Sequence, residues 1–453
     1  MSYPNSVRLK TEQLVTGSQL AHPLYFENEL QVLPAGTFIT AAIKSQLIER
    51  GITYGFLHEV DAAKMSAAGD LSSAAPSTPS PSTSQSATGW ANIRQSLSQQ
   101  SSALSKQVAK LSERVPNKVI NLGPPLKARS QRPTSEPYSD QKQQRLVKQY
   151  ATTKRLMDTM IRHALAGLSQ DNHAVAAVSR STAAELTHDS DQTIAAVAEV
   201  SPAPDLTEQA IRLSVLGMAI AMEMNWDEKS VCQVGECGLI HDWGLSRVPE
   251  ELQKLNAVPS DEERAILAQH PWHTLEMLAH MQQVSEAVQL AVTQVHERLD
   301  GSGYPQGLRG EQIHPYAKVL NVADAYISLT EEKWGRPPYL AYDVMVYLLN
   351  QVKQESMPSD VVRALLNVIS LFPLGSRVRL SDGSEAIVKR RGIGKYNEPV
   401  VQRVGPQREI RVDLAHEPLL DLSRTMLKVT SALPDPGRQE ARIAADSTIE
   451  LLW

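Results

Sequence analysis

Cysteine, aromatic residues and long apolar runs are all scarce in this sequence of 453 residues. The two cysteines, Cys232 and Cys237, lie in one apolar stretch, which excludes a disulfide framework and favours two buried thiols in a reducing compartment. No apolar run approaches the roughly 18 residues that indicate a membrane-spanning helix, so no such helix is expected. The first residues, MSYPNSVRLKTEQL, have no apolar segment after their charges, which argues against a secretory signal. The expected location is the cytoplasm.

A strong charge of either sign is also missing. The net charge is −5, with 45 Lys and Arg against 50 Asp and Glu spread along the chain. A protein that binds nucleic acid in general needs a basic face to neutralise phosphates, so this function is not expected. The length instead allows two or three domains, each with a core of its own.

Shifts in composition and periodicity divide the chain into six predicted segments. Apolar residues recur three or four positions apart from Leu206 to Met224, which indicates a long amphipathic helix, and further helices follow it. Residues 65–90 are mostly Ser, Thr, Pro and Ala, which bury too little to fold. Apolar and polar residues alternate on both sides of Asp382-Gly383, which indicates a hairpin. The predicted segments are a small α/β module at 1–60, a disordered Ser/Pro-rich and polar linker at 61–140, a helical connector at 141–200, a helical domain at 201–372, a small β extension at 373–420 and a C-terminal tail at 421–453.

Histidine and aspartate residues recur in the helical domain at positions that suit a metal site. The candidates are His241 and Asp242 at the end of an apolar helix, His270 in HPWHTLEML, His296 before a glycine-rich loop, and Asp324 in KVLNVADAY. A carboxylate has two oxygens and can bridge two ions, while imidazole suits transition metals. Each residue alone is better explained as a hydrogen-bonded core histidine or an exposed acid. Together they indicate a site for a pair of divalent transition metals.

The most distinctive segment is the loop HERLDGSGYPQGLRG at 296–310. Its closely spaced glycines and its proline fix a turn whose backbone can approach a ligand. Arg298 offers a bidentate donor for phosphate, and Tyr304 offers a flat face with a hydroxyl group. These groups suit a guanine dinucleotide, whose phosphates need neutralising and whose bases stack.

These segments resemble the HD-GYP subfamily of the HD phosphohydrolase superfamily. HDWGL is similar to its HD motif, HERLDGSGYPQGLRGEQI to the signature that names it, and VADAY to its later metal-aspartate segment, in the same order between Leu206 and Phe372. The resemblance implies a mainly α fold, an HD-type helical bundle between the small α/β module and the β extension. It also implies a cyclic di-GMP phosphodiesterase that depends on a divalent metal, iron or manganese.

The resemblance further implies a role for each matching residue. The metal ligands would be His241, Asp242, His270, His296 and Asp324. Asp242 would bridge the metals and would be the catalytic residue. The substrate-side loop would consist of Arg298, Gly303, Tyr304 and Pro305.

The sequence departs from the family pattern at several positions. The expected first-helix histidine is Gln209, and the acidic position four residues earlier is Asp205; both are secondary candidates for metal ligands. One of the paired histidines is Val295, the lysine expected after the HD motif is Leu245, and a later aspartate is Ile327. A glutamine carbonyl is a weaker ligand than imidazole for these metals. The loss of two histidines predicts impaired catalysis.

Three functions remain open from the sequence. The first is a cyclic di-GMP signalling protein that hydrolyses the dinucleotide with a metal-activated hydroxide at a reduced rate. The second is a receptor that binds cyclic di-GMP without cleaving it, or an adaptor that docks a GGDEF-type protein through the loop. The third is a structural helical scaffold, which leaves the five ligand-type residues unexplained. In none of them does the sequence predict an oligomeric state.

Overall fold

The computed structural model divides into two compact units, Met1–Ser84 and Gln85–Trp453. The residues that the structure describes are 6–14, 20, 24–26, 30–33, 39, 44, 47, 54–58, 60 and 61 in the first unit, and 102–131, 135–198, 204–392, 395–404 and 418–443 in the second. The Ser/Pro-rich segment at 65–90, predicted to be a linker, lies outside these ranges.

A small antiparallel sheet forms the described part of the first unit. Its strands are β1 (Ser6–Lys10), β2 (Leu24–Phe26), β3 (Leu30–Leu33) and β4 (Tyr54–His58), in the order β1-β4-β2-β3. The register of β1 and β4 places Val7 opposite Leu57. Leu24 and Leu57 are both buried, which gives the sheet an apolar face. Most of the chain between β3 and β4 lies outside the described residues.

Part of the predicted linker is folded. Helix α1 (Ser102–Arg114) lies within it, and its Val108 and Leu111 are buried. They pack against apolar residues of the helical domain: Trp272, Leu275 and Leu290. The apolar residues of this helix recur at helical spacing and cover an apolar surface, so the predicted linker contains an ordered helix.

The second unit is mainly helical, as predicted. Its helices bury apolar faces around one core, in which Met218 and Leu320 are fully buried. Cys232 and Cys237 are buried free thiols in this core, as expected. The helices after α1 are α2 (Asp140–Leu165), α3 (His173–Ala198), α4 (Leu206–Glu223), α5 (Glu228–Ile240), α6 (Glu250–Gln253), α7 (Asp261–Leu267), α8 (His270–Leu278), α9 (Glu286–Val292), α10 (Pro315–Thr330), α11 (Ala341–Lys353) and α12 (Ser359–Ile369). Within the part of the chain that the structure describes, none of the helices combines the length and the apolar character needed to cross a membrane.

The β extension is a five-stranded antiparallel sheet. Two short strands, β5 (Gln170–Asp171) and β6 (Met281–Gln282), first pair in parallel within the helical domain. The extension itself has the order β10-β9-β8-β7-β11, with β7 (Arg377–Leu380), β8 (Glu385–Arg390), β9 (Val400–Val404), β10 (Leu420–Asp421) and β11 (Val429–Leu433). The predicted turn at Asp382-Gly383 joins β7 to β8, and Gly383 has φ +84°, a conformation that favours glycine. Strand β11 shows that part of the predicted tail also belongs to this sheet.

A buried charge network joins the extension to the helical connector. Arg390, at the end of β8, donates to both carboxylate oxygens of Asp189 at 3.0 Å and lies over the ring of Tyr138, 4.6 Å from its centroid. Asp189 interrupts α3, where its φ of −158° and ψ of 95° are those of extended backbone. The next residue, Arg391, pairs with Asp191 at 3.0 Å. These contacts fix the sheet against the kinked helix.

Candidate active site

The carboxylate of Asp242 lies among three histidine side chains. His270 Nε2 is 3.0 Å and His296 Nε2 is 3.4 Å from Asp242 Oδ1, and His241 Nε2 is 3.2 Å from Asp242 Oδ2. The helical bundle brings these residues together, because His241 ends α5, His270 begins α8 and His296 follows α9. The residues singled out along the sequence therefore form one cluster in space.

Backbone carbonyls hold two of these imidazole rings by the nitrogen that faces away from Asp242. His241 Nδ1 lies 3.0 Å from Gly238 O, and His270 Nδ1 lies 2.8 Å from Leu267 O. Because a carbonyl oxygen only accepts, Nδ1 carries a proton, and Nε2 is the ring nitrogen that faces Asp242. Nε2 of His241 is buried and makes no hydrogen bond of good geometry within the described residues. Imidazoles anchored in this way are typical metal ligands.

Burial and mutual attraction set the protonation of the cluster. Burial disfavours a charge on Asp242, but His241 and His270 outweigh it and hold the Asp242 pKa well below its usual range. Burial also opposes a charge on His241, yet the Asp242 carboxylate outweighs it and raises the His241 pKa. For His296 burial prevails and lowers the pKa. Asp242 is therefore ionised at neutral pH and available as an anionic ligand.

Asp324 approaches the same cluster from α10. Its Oδ2 lies 3.7 Å from His296 Nδ1. Ligand atoms of His241, Asp242 and His296 lie within 4.8 Å of one another, close enough to share one ion. Imidazole and carboxylate together form a donor set that iron, manganese and similar divalent ions accept. The residues present therefore fit the predicted kind of metal.

Gly244 and Thr274 bring the HD turn against the start of α8. Thr274 Oγ1 donates to His241 O at 2.7 Å and accepts from Gly244 N at 2.9 Å. A Cβ on Gly244 would lie 2.0 Å from His270 O, so only glycine allows this approach. The contact explains why a glycine follows Asp242 by two positions.

The glycine-rich loop supports the cluster through His296. Tyr304 stacks on the His296 ring, with centroids 5.0 Å apart and planes 9° from parallel, and Tyr304 N donates to His296 O at 3.1 Å. The Glu297 carboxylate accepts from Gln306 N at 2.7 Å and from Leu308 N at 2.8 Å, which closes the loop. Only 6% of Tyr304 is exposed. The contact of a ligand with the loop stays a prediction for Arg298, Gly303, Tyr304 and Pro305.

Gly303 leaves no room for a larger residue in this loop. A Cβ there would lie 2.4 Å from both Arg298 N and His296 O. We expect Gly303→Ala to lower the free energy of unfolding by about 1–3 kcal/mol, because the loop must move away from His296. Chemical unfolding measures the change, with Gly123→Ala as the matched control, since a Cβ at Gly123 would meet nothing within 4 Å. Equal stability of the two variants would contradict the loop geometry.

A cavity of about 460 Å³ lies beside the cluster, in the size range of small-molecule sites. The cluster residues that line it are His241, Asp242, His296 and Asp324. The four predicted loop residues do not line it. The lining residues that sequence reasoning missed include Lys254, Glu331, Lys333 and Trp334. The only local signal for them was a tryptophan beside a lysine in an otherwise polar segment.

Gln209 and Asp205 line the cavity, but other groups engage their side chains. Gln209 Nε2 donates to Glu331 Oε2 at 3.2 Å, and the same carboxylate pairs with Arg212 at 2.5 Å. Asp205 caps α4, where its Oδ1 accepts from Glu208 N at 2.9 Å. A metal-binding role for either residue stays a prediction.

The remaining departures from the family pattern are apolar here. Val295 is fully buried in the hydrophobic core, while Leu245 and Ile327 line the cavity. His273, one helical turn after His270, lies 3.5 Å from Glu276 of its own helix. The cluster thus has five ligand-type residues, and the positions around it add no further histidine.

The HD domain family model matches residues 155–356, a range that includes every residue of the cluster. The cyclic di-GMP phosphodiesterase PA4108 of Pseudomonas aeruginosa is 28% identical over 179 residues, which cover 40% of this chain and 43% of that protein. The chain is an HD-GYP-like protein. The predicted family is therefore confirmed, with its helical HD fold and the small sheet after it.

This HD-GYP-like protein is also similar to other proteins. The cyclic di-GMP phosphodiesterase PdeB of Borreliella burgdorferi is 24% identical over 177 residues, which cover 39% of this chain and 46% of that protein. The chain matches less than half of the length of each of these two curated relatives. The solved structure of Bd1817, described as an HDG"Y"P protein from Bdellovibrio bacteriovorus, aligns with a TM-score of 0.41 and 14% identity over 80% of this chain and 99% of that chain, too distant a likeness to support an inference.

Proposed function

We propose that this HD-GYP-like protein binds a divalent transition metal through the Asp242 cluster and hydrolyses cyclic di-GMP slowly. The observation that carries the proposal is the position of the Asp242 carboxylate, whose oxygens lie 3.0, 3.2 and 3.4 Å from three histidine Nε2 atoms. The substrate class comes from the relatives, which are named as phosphodiesterases of cyclic di-GMP.

The proposed work of the chain's own side chains is to hold the metal and to orient the phosphate. A divalent metal, when bound, polarises a phosphoryl oxygen and makes water a nucleophile at neutral pH. His241, Asp242, His270, His296 and Asp324 are the proposed ligands. The carbonyl groups of Gly238 and Leu267 keep two of the imidazoles oriented. The cavity beside the cluster would place the scissile phosphate against it.

The slow rate is proposed because three supporting groups are missing. Val295 is fully buried among apolar side chains, so nothing at this position can bind a metal. Gln209 replaces the first-helix histidine, and its side-chain nitrogen donates a hydrogen bond to Glu331. Leu245 gives the cavity an apolar group where the family has a lysine. Even indirect changes around a metal typically cost about 10- to 100-fold in metal affinity or activity.

A receptor that binds cyclic di-GMP without cleaving it is the second candidate. The apolar Leu245 and Val295 favour it, because they remove groups that matter more for catalysis than for binding. An adaptor that docks a GGDEF-type protein through the loop has less support, since Gly303, Tyr304 and Pro305 are all buried. A structural scaffold would not need three imidazoles around one carboxylate.

A turnover assay separates these functions. Purified protein loaded with Mn²⁺ or Fe²⁺ is incubated with cyclic di-GMP, and chromatography follows the appearance of pGpG and GMP. We expect slow, metal-dependent hydrolysis that stops on chelation. Tight binding of cyclic di-GMP without any product would instead establish the receptor. If the protein neither binds nor hydrolyses cyclic di-GMP, the result contradicts both the phosphodiesterase and the receptor.

A further inference from the structure

A hairpin after α10 contributes two residues to the cavity. Lys333 N donates to Arg336 O at 3.0 Å, and Arg336 N donates to Lys333 O at 2.9 Å. Trp334 and Gly335 form the tip, with φ of 53° and 71°, the left-handed conformation that such a two-residue turn requires. A tryptophan is unfavourable in this conformation, which points to a use of its ring that offsets the cost.

Contacts on both sides fix this hairpin to the domain. Arg336 donates to Ser328 O at 2.8 Å, and its guanidinium lies 4.5 Å from the centroid of the Tyr339 ring. Gly335 lies against a neighbouring loop, where an added Cβ would be 2.7 Å from Asn256 O. Trp334 is therefore carried at the cavity by a turn that is held in place, and binding there needs little ordering of the chain.

Lys333 is the cation best placed for an anionic ligand in this cavity. Lys254 and Lys333 are the lysines that line it, but Lys254 contacts Glu250. Two acids precede Lys333 on the cavity wall, Glu331 and Glu332, and Glu331 is already paired with Arg212 at 2.5 Å. Lys333 Nζ lies 5.2 Å from the centroid of the Trp334 ring, so a cation and an aromatic face are adjacent.

We infer that Trp334 and Lys333 recognise the nucleotide: Trp334 stacks on a purine base, and Lys333 neutralises a phosphate of the same nucleotide. The inference rests on the proposed function for its ligand class, a guanine dinucleotide. Stacking of a base on an aromatic side chain needs only a flat face, which every purine has. Lys333 supplies the cation that Leu245 does not.

Calorimetric titration of the full chain with cyclic di-GMP, GMP and inorganic phosphate tests the two residues separately. Trp334→Asn removes the ring, and asparagine tolerates the left-handed backbone. It is expected to weaken the binding of cyclic di-GMP and of GMP by about 10- to 100-fold without changing that of phosphate, whereas Trp334→Phe keeps most of the affinity. Lys333→Ala is expected to weaken all three by about 10-fold, an effect that shrinks at high salt.

Matched controls come from exposed residues outside the cavity. Tyr396→Ala removes an exposed aromatic ring and Lys353→Ala an exposed lysine, and both should bind as the unchanged protein does. Thermal unfolding followed by circular dichroism shows whether each variant is folded. If Trp334→Asn does not fold, Lys333→Ala decides in its place.

The outcomes separate this inference from the proposed function. Binding of cyclic di-GMP that is equally tight in the unchanged protein, Trp334→Asn and Lys333→Ala would overturn the inference and leave the function standing. Binding of GMP through Trp334, without binding of cyclic di-GMP, would support the recognition and overturn the proposed substrate. Failure of the unchanged protein to bind any of the three would overturn both.

Discussion

Replacement of Asp242 by alanine is expected to abolish stable metal binding and to slow the hydrolysis of cyclic di-GMP at least about 100-fold. The carboxylate lies within 3.4 Å of three histidine Nε2 atoms, so its loss removes both a ligand and the charge that balances the ion. Metal content by mass spectrometry and product formation by chromatography measure the two effects.

Two further variants make this result specific to the cluster. Asp242→Asn keeps the shape of the side chain and removes its charge, and it should lose metal as well. Asp360→Ala removes an exposed aspartate at the start of α12 and should retain both metal and turnover. Metal and turnover at the unchanged level in Asp242→Ala would show that the cluster is not the active site.

Replacement of Arg390 by alanine is expected to lower the free energy of unfolding by about 1–3 kcal/mol, because it leaves the half-buried Asp189 carboxylate without its arginine. Arg390 makes two bonds of 3.0 Å to Asp189, and these hold the Asp189 pKa below its usual value despite burial, which acts in the opposite direction. A group whose pKa is lowered by folding stabilises above its unfolded pKa and loses that contribution as the pH falls through the folded value. The difference between the two proteins should therefore shrink toward acidic pH.

Chemical unfolding at neutral and acidic pH measures this difference. Arg424→Ala is the matched control, because the Arg424 side chain is 75% exposed in its pair with Asp421 and should contribute little. A loss in Arg390→Ala no larger than in Arg424→Ala would mean that the charge network does not fix the β extension to the connector.

The helical core and the cluster could be predicted because each rests on short-range patterns. The spacing of apolar residues in α4 fixes which face of the helix is buried. The HD pair and the glycine-rich loop are each a continuous stretch of sequence. The surface that α1 covers could not be predicted, because Trp272 and its neighbours lie far from α1 in the sequence. No local pattern carries that information.

Other parts of the site depend on contacts between distant segments. Gln209 could be read as a ligand, but the hydrogen bond from its side-chain amide to Glu331 joins α4 to the residue after α10 and leaves no trace in either sequence segment. Asp205 could be read as an acidic ligand, yet the structure also gives it the ordinary role of a helix cap. Lys333 and Trp334 come to the cavity only because their hairpin folds back from α10.

The most direct test of the metal site is anomalous X-ray scattering from crystals of the full chain soaked with Mn²⁺. The account predicts a peak about 2.0–2.3 Å from a His241 imidazole nitrogen and from an Asp242 oxygen, with the remaining cluster residues as ligands or close neighbours. Full occupancy there would establish the cluster as a metal centre. Crystals that show no peak at the cluster, while the same soak labels another site, would contradict it.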